Sequence, residues 1–228
     1  MTQPPYRTTR PPSRTAQPLY CRMYLTAYDT SADGLHDRTR TGFLLRAAVL
    51  AELAIRGHLV DSDGDALVAT PGPAGDPVLD LMLGHVASDR RSWASWIRHD
   101  RRRTLRAVED RLVAQGVLAV AEKRSFGRSR RAVTVTDPSA VTALRATVTA
   151  LLHGTEPAGR IAPADAALVA LAAAGGIRPV VSRSDARTGK DRIEELTGRV
   201  GAVAPGLGAA IGGLRMTLVA AQGGMGGG

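Results

Sequence analysis

Apolar positions along the chain recur with two periods, and polar punctuation separates them. Residues 43–56, FLLRAAVLAELAIR, are apolar on nearly every side, broken only by Arg46, Glu52 and Arg56. A helix apolar all round sits at the centre of a domain. Residues 76–87, DPVLDLMLGHVA, open with an acidic cap and a proline at the first helical position, which predicts a helix start. Over 101–115 Leu105, Val108 and Leu112 form one stripe, and Gly116 ends the helix. Further helices are predicted over 137–153, from the Asp137-Pro138 pair, and over 163–174, 188–200 and 205–221. Alternation around an Asp-Gly turn predicts a hairpin over 59–70. A second hairpin is predicted over 117–136, its tip around residues 125–130. Residues 21–29 suit a strand or a short buried helix, 30–41 a polar loop, and 92–100 a short helix or turn.

Residues 1–19 are dominated by Pro, Thr and Arg and read as a disordered tail, and 223–228 read as a flexible glycine tail. The pattern predicts a mainly α protein: a single compact helical domain over 20–222, around a buried central helix, with two β-hairpins.

Composition narrows this picture. The chain is 44% apolar but only 4% aromatic, so the core is expected to rest on Leu, Val, Ile and Ala. A single cysteine, Cys21, excludes an intramolecular disulfide and a cysteine zinc cluster, and reads as a small buried residue. It fits a reducing, cytoplasmic setting. The apolar stretches 161–177 and 200–221 are interrupted by charge or proline, and the N-terminus carries arginines without a signal-like apolar segment. Any membrane contact is therefore expected at the surface. Arg outnumbers Lys 28 to 2 beside abundant Ala and Gly, which suggests a GC-rich, bacterial coding sequence.

Charge is uneven. Residues 98–131 hold eleven Lys/Arg against four Asp/Glu, seven of the chain's nine net positive charges. An anionic partner follows, either a phospholipid surface or a nucleic acid.

Few residues suggest chemistry beyond binding. The histidines at 36, 58, 85, 99 and 153 lack a metal-ligand spacing, and no cofactor or nucleophile motif is present. GLGAAIG (206–212) has no strand before it and reads as a small-residue helix that packs closely. Asp63 and Asp65 around Gly64 read as a turn rather than a calcium loop. The expectation is a binding protein with no catalytic, metal or cofactor site. Arg46 lies one turn into the apolar helix, where a buried arginine must pair or face an anion. An acid such as Asp37 or Asp80 and a phosphate are equal alternatives. Arg102 and Arg106, four apart beside the apolar stripe, can grip one phosphate. Arg101 and Arg103 read as a solvated face. The hairpin tip, EKRSFGRSRR, sets Arg124, Arg128 and Arg130 around Phe126: basic residues for phosphates and a ring for the acyl boundary. The same hairpin would serve as the wing of a winged-helix DNA-binding protein.

Four blocks in order, FLLRAAVLAELAIRGHL (43–59), PAGDPVLDLMLGHV (73–86), SWIRHD (95–100) and LRAVEDRLVAQGVL (105–118), resemble the Golgi phosphoprotein 3 family. Weaker similarity continues through 164–174, 189–200 and 213–221. The resemblance implies a compact, helical, non-enzymatic peripheral membrane protein. It implies phosphatidylinositol 4-phosphate as the ligand, the cytosolic face of a membrane as the location, and cytoplasmic tails of membrane proteins as partners. It assigns the headgroup to Arg46 and to two arginines near Arg102 and Leu105; a one-residue slip brings in Arg103 and Arg106, so Arg102, Arg103 and Arg106 are all candidates. The family's pocket tryptophan falls on Asp37, with Arg38 and Arg40 nearby as substitutes. The family's hairpin, which contacts membrane and partner subunits, matches 117–136 and implies self-association there. A bacterial source would replace the Golgi lipid with another anionic one, such as phosphatidylinositol or cardiolipin. Lipid binding is thus preferred, with winged-helix DNA binding as the alternative.

Overall fold

In the computed structural model the described residues are 17–125 and 128–223, with the side chains of 122–125, 128–131 and 222–223 excepted. The two tails and Phe126 expected from sequence therefore lie outside the described residues, apart from the tails' inner ends.

Helix α1 (Leu19–Ala27) is buried at all nine positions, which settles the 21–29 ambiguity in favour of a helix. A two-residue pair, β1 (Tyr28–Asp29) and β2 (Gly34–Leu35), follows it. The central helix α2 (Arg38–Ile55) begins four residues before Gly42, because the Asp37 side chain accepts from Arg40 N at 2.8 Å and caps it. Its first turn is wholly polar, so hydrophobic periodicity could not register it, and the expected 30–41 loop is correspondingly shorter. From Thr41 to Ala54 every residue of α2 is buried.

The first predicted hairpin is β3 (Leu59–Ser62) and β4 (Asp65–Val68). Asp63 (φ 54°) and Gly64 (φ 87°) both take the left-handed conformation that a two-residue hairpin turn demands. A third strand, β5 (Arg91–Ser92), joins β4. Asp76 caps α3 (Pro77–Ser88) by accepting from Val78 N and Leu79 N. Then come α4 (Trp93–Arg98) and α5 (Arg101–Ala114). The second hairpin is β6 (Leu118–Ser125) and β7 (Arg128–Val135), paired from Leu118↔Val135 to Ser125↔Arg128. Its strands therefore run further into the expected tip than alternation indicated. The chain ends with α6 (Pro138–His153), α7 (Pro163–Ala174), the short α8 (Arg183–Thr188), α9 (Lys190–Gly201) and α10 (Pro205–Gly223).

Helices α1, α3, α4, α5 and α7 enclose α2. Leu, Val, Ile and Ala make up most of the core, as composition indicates. Aromatics are few, yet Trp93, Trp96, Tyr20, Tyr24 and Tyr28 are all fully buried. Each ring with a polar tip needs a partner inside: Tyr20 Oη donates to Asp76 at 2.7 Å and Tyr24 Oη to Glu109 at 3.2 Å. Gly206 and Gly208 at the start of α10 serve close packing, as read from sequence, whereas Gly212 has open space around it. A Cβ on Gly208 would lie 2.6 Å from Gly201 Cα of α9. Cys21 is buried and free.

Candidate anion-binding site

Asp100 takes a left-handed conformation (φ 46°) and turns the chain from α4 into α5. The predicted stripe Leu105, Val108 and Leu112 is buried, joined by Thr104 and Glu109, and α5 packs on α2. That rotation leaves Arg102, Arg103 and Arg106 exposed. All three line one cleft of about 730 Å³, together with Arg38 and Thr39 of α2 and Val133 of β7. None of the three arginines forms a hydrogen bond or ion pair with a described residue.

Other arginines in or near the cleft are committed elsewhere. Arg38 makes a two-pronged pair with Glu109, at 2.7 and 3.0 Å, so it is not a free substitute at the headgroup. Arg40 donates to Gly175 O at 2.9 Å and lies 3.6 Å from Asp37. Arg101 corrects the expectation of a solvated side chain: its guanidinium lies 4.7 Å from the Phe43 ring centroid. A Cβ on Gly42 would stand 3.2 Å from Arg101 O, tighter than ordinary contact, so glycine eases the close approach of α2 and α5.

Arg46 is 1% exposed. Its Nε donates to Trp96 O at 3.0 Å and its Nη1 to Thr104 Oγ1 at 3.2 Å, while Nη2 has no partner. Its guanidinium also lies 5.9 Å from the Trp96 ring centroid. Neither acid proposed from sequence holds it: Asp37 caps α2, and Asp80 accepts from Ala74 N at 2.5 Å. Burial pulls its ionisation down to about 10, against the opposing field of Asp100, so it remains charged at neutral pH. Arg46 does not line the open cleft; Thr104, to which it is hydrogen-bonded, leads from it to α5.

Sequence reasoning missed the surroundings of Arg46. His85 of α3 is pushed toward its neutral form by burial, then by the positive charges of Arg46 and Arg103. The Arg91 guanidinium lies 5.1 Å from the Trp96 ring centroid, and its Nη1 is 3.2 Å from His99 Nδ1. His85 Nδ1 and Trp96 Nε1 are buried without partners. The block SWIRHD carried Trp96 and His99, but α4 is too short for a periodic signal.

Asp37 lies elsewhere. It lines a neighbouring recess of about 660 Å³, and Arg38 and Thr39 line both recesses. Nine residues of helix separate it from Arg46, roughly 13 Å at 1.5 Å per residue. In the hairpin the backbone register sets Lys123 opposite Arg130 and Arg124 opposite Ser129. Phe126 lies outside the described residues, as do the side chains of Arg124, Arg128 and Arg130. The helix before α5 has only six residues, and its Trp93 and Trp96 are in the core. An exposed two-helix unit ahead of the basic hairpin, which a winged-helix reader needs, is not formed by α4 and α5.

No helix among the described residues is long and apolar enough to cross a membrane. The family model described as Golgi phosphoprotein 3 (GPP34) matches residues 19–212. No curated protein matches the chain.

Proposed function

The chain belongs to the Golgi phosphoprotein 3 family, and from that premise we propose that it is a peripheral membrane protein that binds an anionic phospholipid headgroup beside the first turns of α5. The observation that carries this reading is the convergence of Arg102, Arg103 and Arg106, none of them paired with a described residue, on one concave cleft. Guanidinium groups match phosphate oxygens geometrically, and each is worth about 1 kcal/mol near an anionic surface. Arg46 supports the reading from behind. A buried charge with no carboxylate bonded to it and a free Nη2 is compensated by an anion arriving in front of it.

The lipid is selected by charge. Asp37 offers no ring at the position of the family's tryptophan, and Arg38 is spent on Glu109. Anionic phospholipids such as phosphatidylinositol or cardiolipin fit that description as well as a 4-phosphate does. Hairpin β6–β7, with Phe126, Arg124, Arg128 and Arg130, is the surface-contact element and the site of any self-association. Cytoplasmic tails of membrane proteins are the second class of partner. The role is binding rather than catalysis.

Vesicle co-sedimentation at physiological salt tests this. Wild type is expected to pellet with phosphatidylglycerol vesicles and not with phosphatidylcholine, and Arg102→Glu with Arg106→Glu is expected to weaken binding at least tenfold. Equal pelleting of both proteins would remove the site assignment. Salt-dependent retention of random duplex DNA without vesicle binding would replace the reading with the nucleic-acid one.

A further inference from the structure

A second basic concavity lies away from α5. Helix α7 ends at Ala174, and the chain turns through Gly175 and Gly176 (φ 57°). It then enters α8 through a Ser182–Asp185 capping box. Between this corner and α10 runs a trough of about 420 Å³. Its floor is apolar: Ala173, Ala174, Val181 and Leu218. Arg178, Arg183, Arg187 and Arg215 stand around it, with no acidic residue among the described residues of the lining. None of these four forms a hydrogen bond or ion pair with a described residue.

The basic residues on the next helix behave differently. Arg192 pairs with Glu195 at 3.1 Å and Lys190 with Glu194 at 3.5 Å. Charge on α9 is thus balanced locally, whereas charge around the trough is not. Four like charges converging on a concave surface repel one another, and an anion seated among them reverses that sign. The trough also continues. A second recess of about 420 Å³ shares Ala173, Ala174, Ala186 and Arg215 with it and extends the apolar floor to Ile193 and Ile211, with the Lys190–Glu194 pair and Thr197 also lining it. On the outer side of α10, Met216 (73% exposed) and Val219 (59%) leave apolar surface in water beside Arg215.

We propose that this trough is a separate binding site for a phosphate monoester carrying an aliphatic chain, the phosphate held by Arg183, Arg187, Arg178 and Arg215 and the chain laid along the alanine-rich floor between α7, α9 and α10. The two halves of the ligand follow from the two halves of the site. Arginine presents a planar fork that takes phosphate oxygens in pairs. Small aliphatic side chains offer the chain an apolar floor, with Lys190, Glu194 and Thr197 at its far rim. The site shares no residue with the cleft over α5, and it stands whether or not the protein docks on vesicles.

Isothermal titration with soluble alkyl phosphates tests it, with inorganic phosphate as the chainless probe and butyl, hexyl and octyl phosphate below their aggregation concentrations. Binding is expected to tighten about fourfold per added methylene that reaches the floor. Arg183→Gln with Arg187→Gln, both exposed positions, is expected to weaken octyl phosphate at least tenfold and to remove the dependence on chain length, which Arg102→Glu with Arg106→Glu retains. Affinity independent of chain length would overturn the proposal, as would wild-type affinity in the Arg183/Arg187 variant. Loss of binding only in the Arg102/Arg106 variant would assign the phosphate to the α5 cleft and also overturn it. A vesicle-binding failure of the whole protein leaves these outcomes readable, because no membrane is present.

Discussion

Replacing Arg46 by methionine separates a residue kept for a ligand from one kept for the fold. The charged guanidinium is 1% exposed, and burial draws its ionisation down to about 10. That corresponds to roughly 3 kcal/mol against the charged form. Two hydrogen bonds, to Trp96 O and Thr104 Oγ1, offset about 1 kcal/mol each. Thr104 keeps a partner when Arg46 is removed, since its hydroxyl also reaches Asp100 O at 3.4 Å. Methionine fills a similar volume with no charge to desolvate, and such replacements of buried ions are often neutral or stabilising. Arg46→Met is therefore expected to gain about 1 kcal/mol, or about 2–4 °C in Tm for a domain of this size. Urea unfolding followed by the fluorescence of the buried Trp93 and Trp96 measures it, with an unchanged m-value as the control. In the same assay anionic lipid is expected to stabilise wild type by more than it stabilises Arg46→Met, by linkage of binding to folding. A loss of more than about 2 kcal/mol without ligand would refute the reasoning. It would mean that the charge is fully compensated inside the fold and is not held for an anion.

Three further outcomes follow from the packing. Glu109→Ala strands the buried Tyr24 hydroxyl and releases the half-exposed Arg38, so a loss of about 2 kcal/mol in the urea midpoint is expected, and a neutral result would refute the pairing. Gly208→Ala would gain helix propensity, yet its Cβ meets Gly201 Cα at 2.6 Å; a net loss of about 1–3 kcal/mol is expected, and stabilisation would contradict the close α9–α10 contact. Burial pushes Cys21 up to about 12 and raises Tyr20 and Tyr24 as well. For groups raised on folding, stability is full below the unfolded value and is lost as pH climbs past it, so unfolding titrations should be level to about pH 9 and fall above it. Arg46, lowered on folding, works the other way above about pH 10 but is outnumbered; rising stability above pH 10 would count against this balance.

The legible part of the fold was the part written in periodicity. The run 43–56 is apolar all round because it is enclosed on every side, and the stripe on α5 is spaced for one buried face. What escaped was set by capping and tertiary contact. The first turn of α2 has no apolar residue and exists because Asp37 caps it. Helix α8 has six residues with none buried, and its capping box is the only local signal it carries. Strand β5 is two residues long and forms because β4 offers an edge.

The candidate site divides in the same way. Arg102 and Arg106 could be placed from spacing alone, since the stripe fixes which side of α5 meets solvent. The surroundings of Arg46 could not. Trp96, His85, His99 and Arg91 come from three separate elements, and no spacing rule links them to a residue fifty positions away. Arg101 was misplaced because its packing depends on Gly42 and Phe43 of α2, which the local charge pattern does not reveal.

Hydrogen exchange of the full chain with and without phosphatidylglycerol vesicles tests the central claim most directly, because it reports where the lipid sits as well as whether it binds. The account predicts slowed exchange over the first turns of α5, residues 101–106, and over hairpin β6–β7, with no change in phosphatidylcholine. Vesicle binding that leaves both segments exchanging as in the free protein would contradict it.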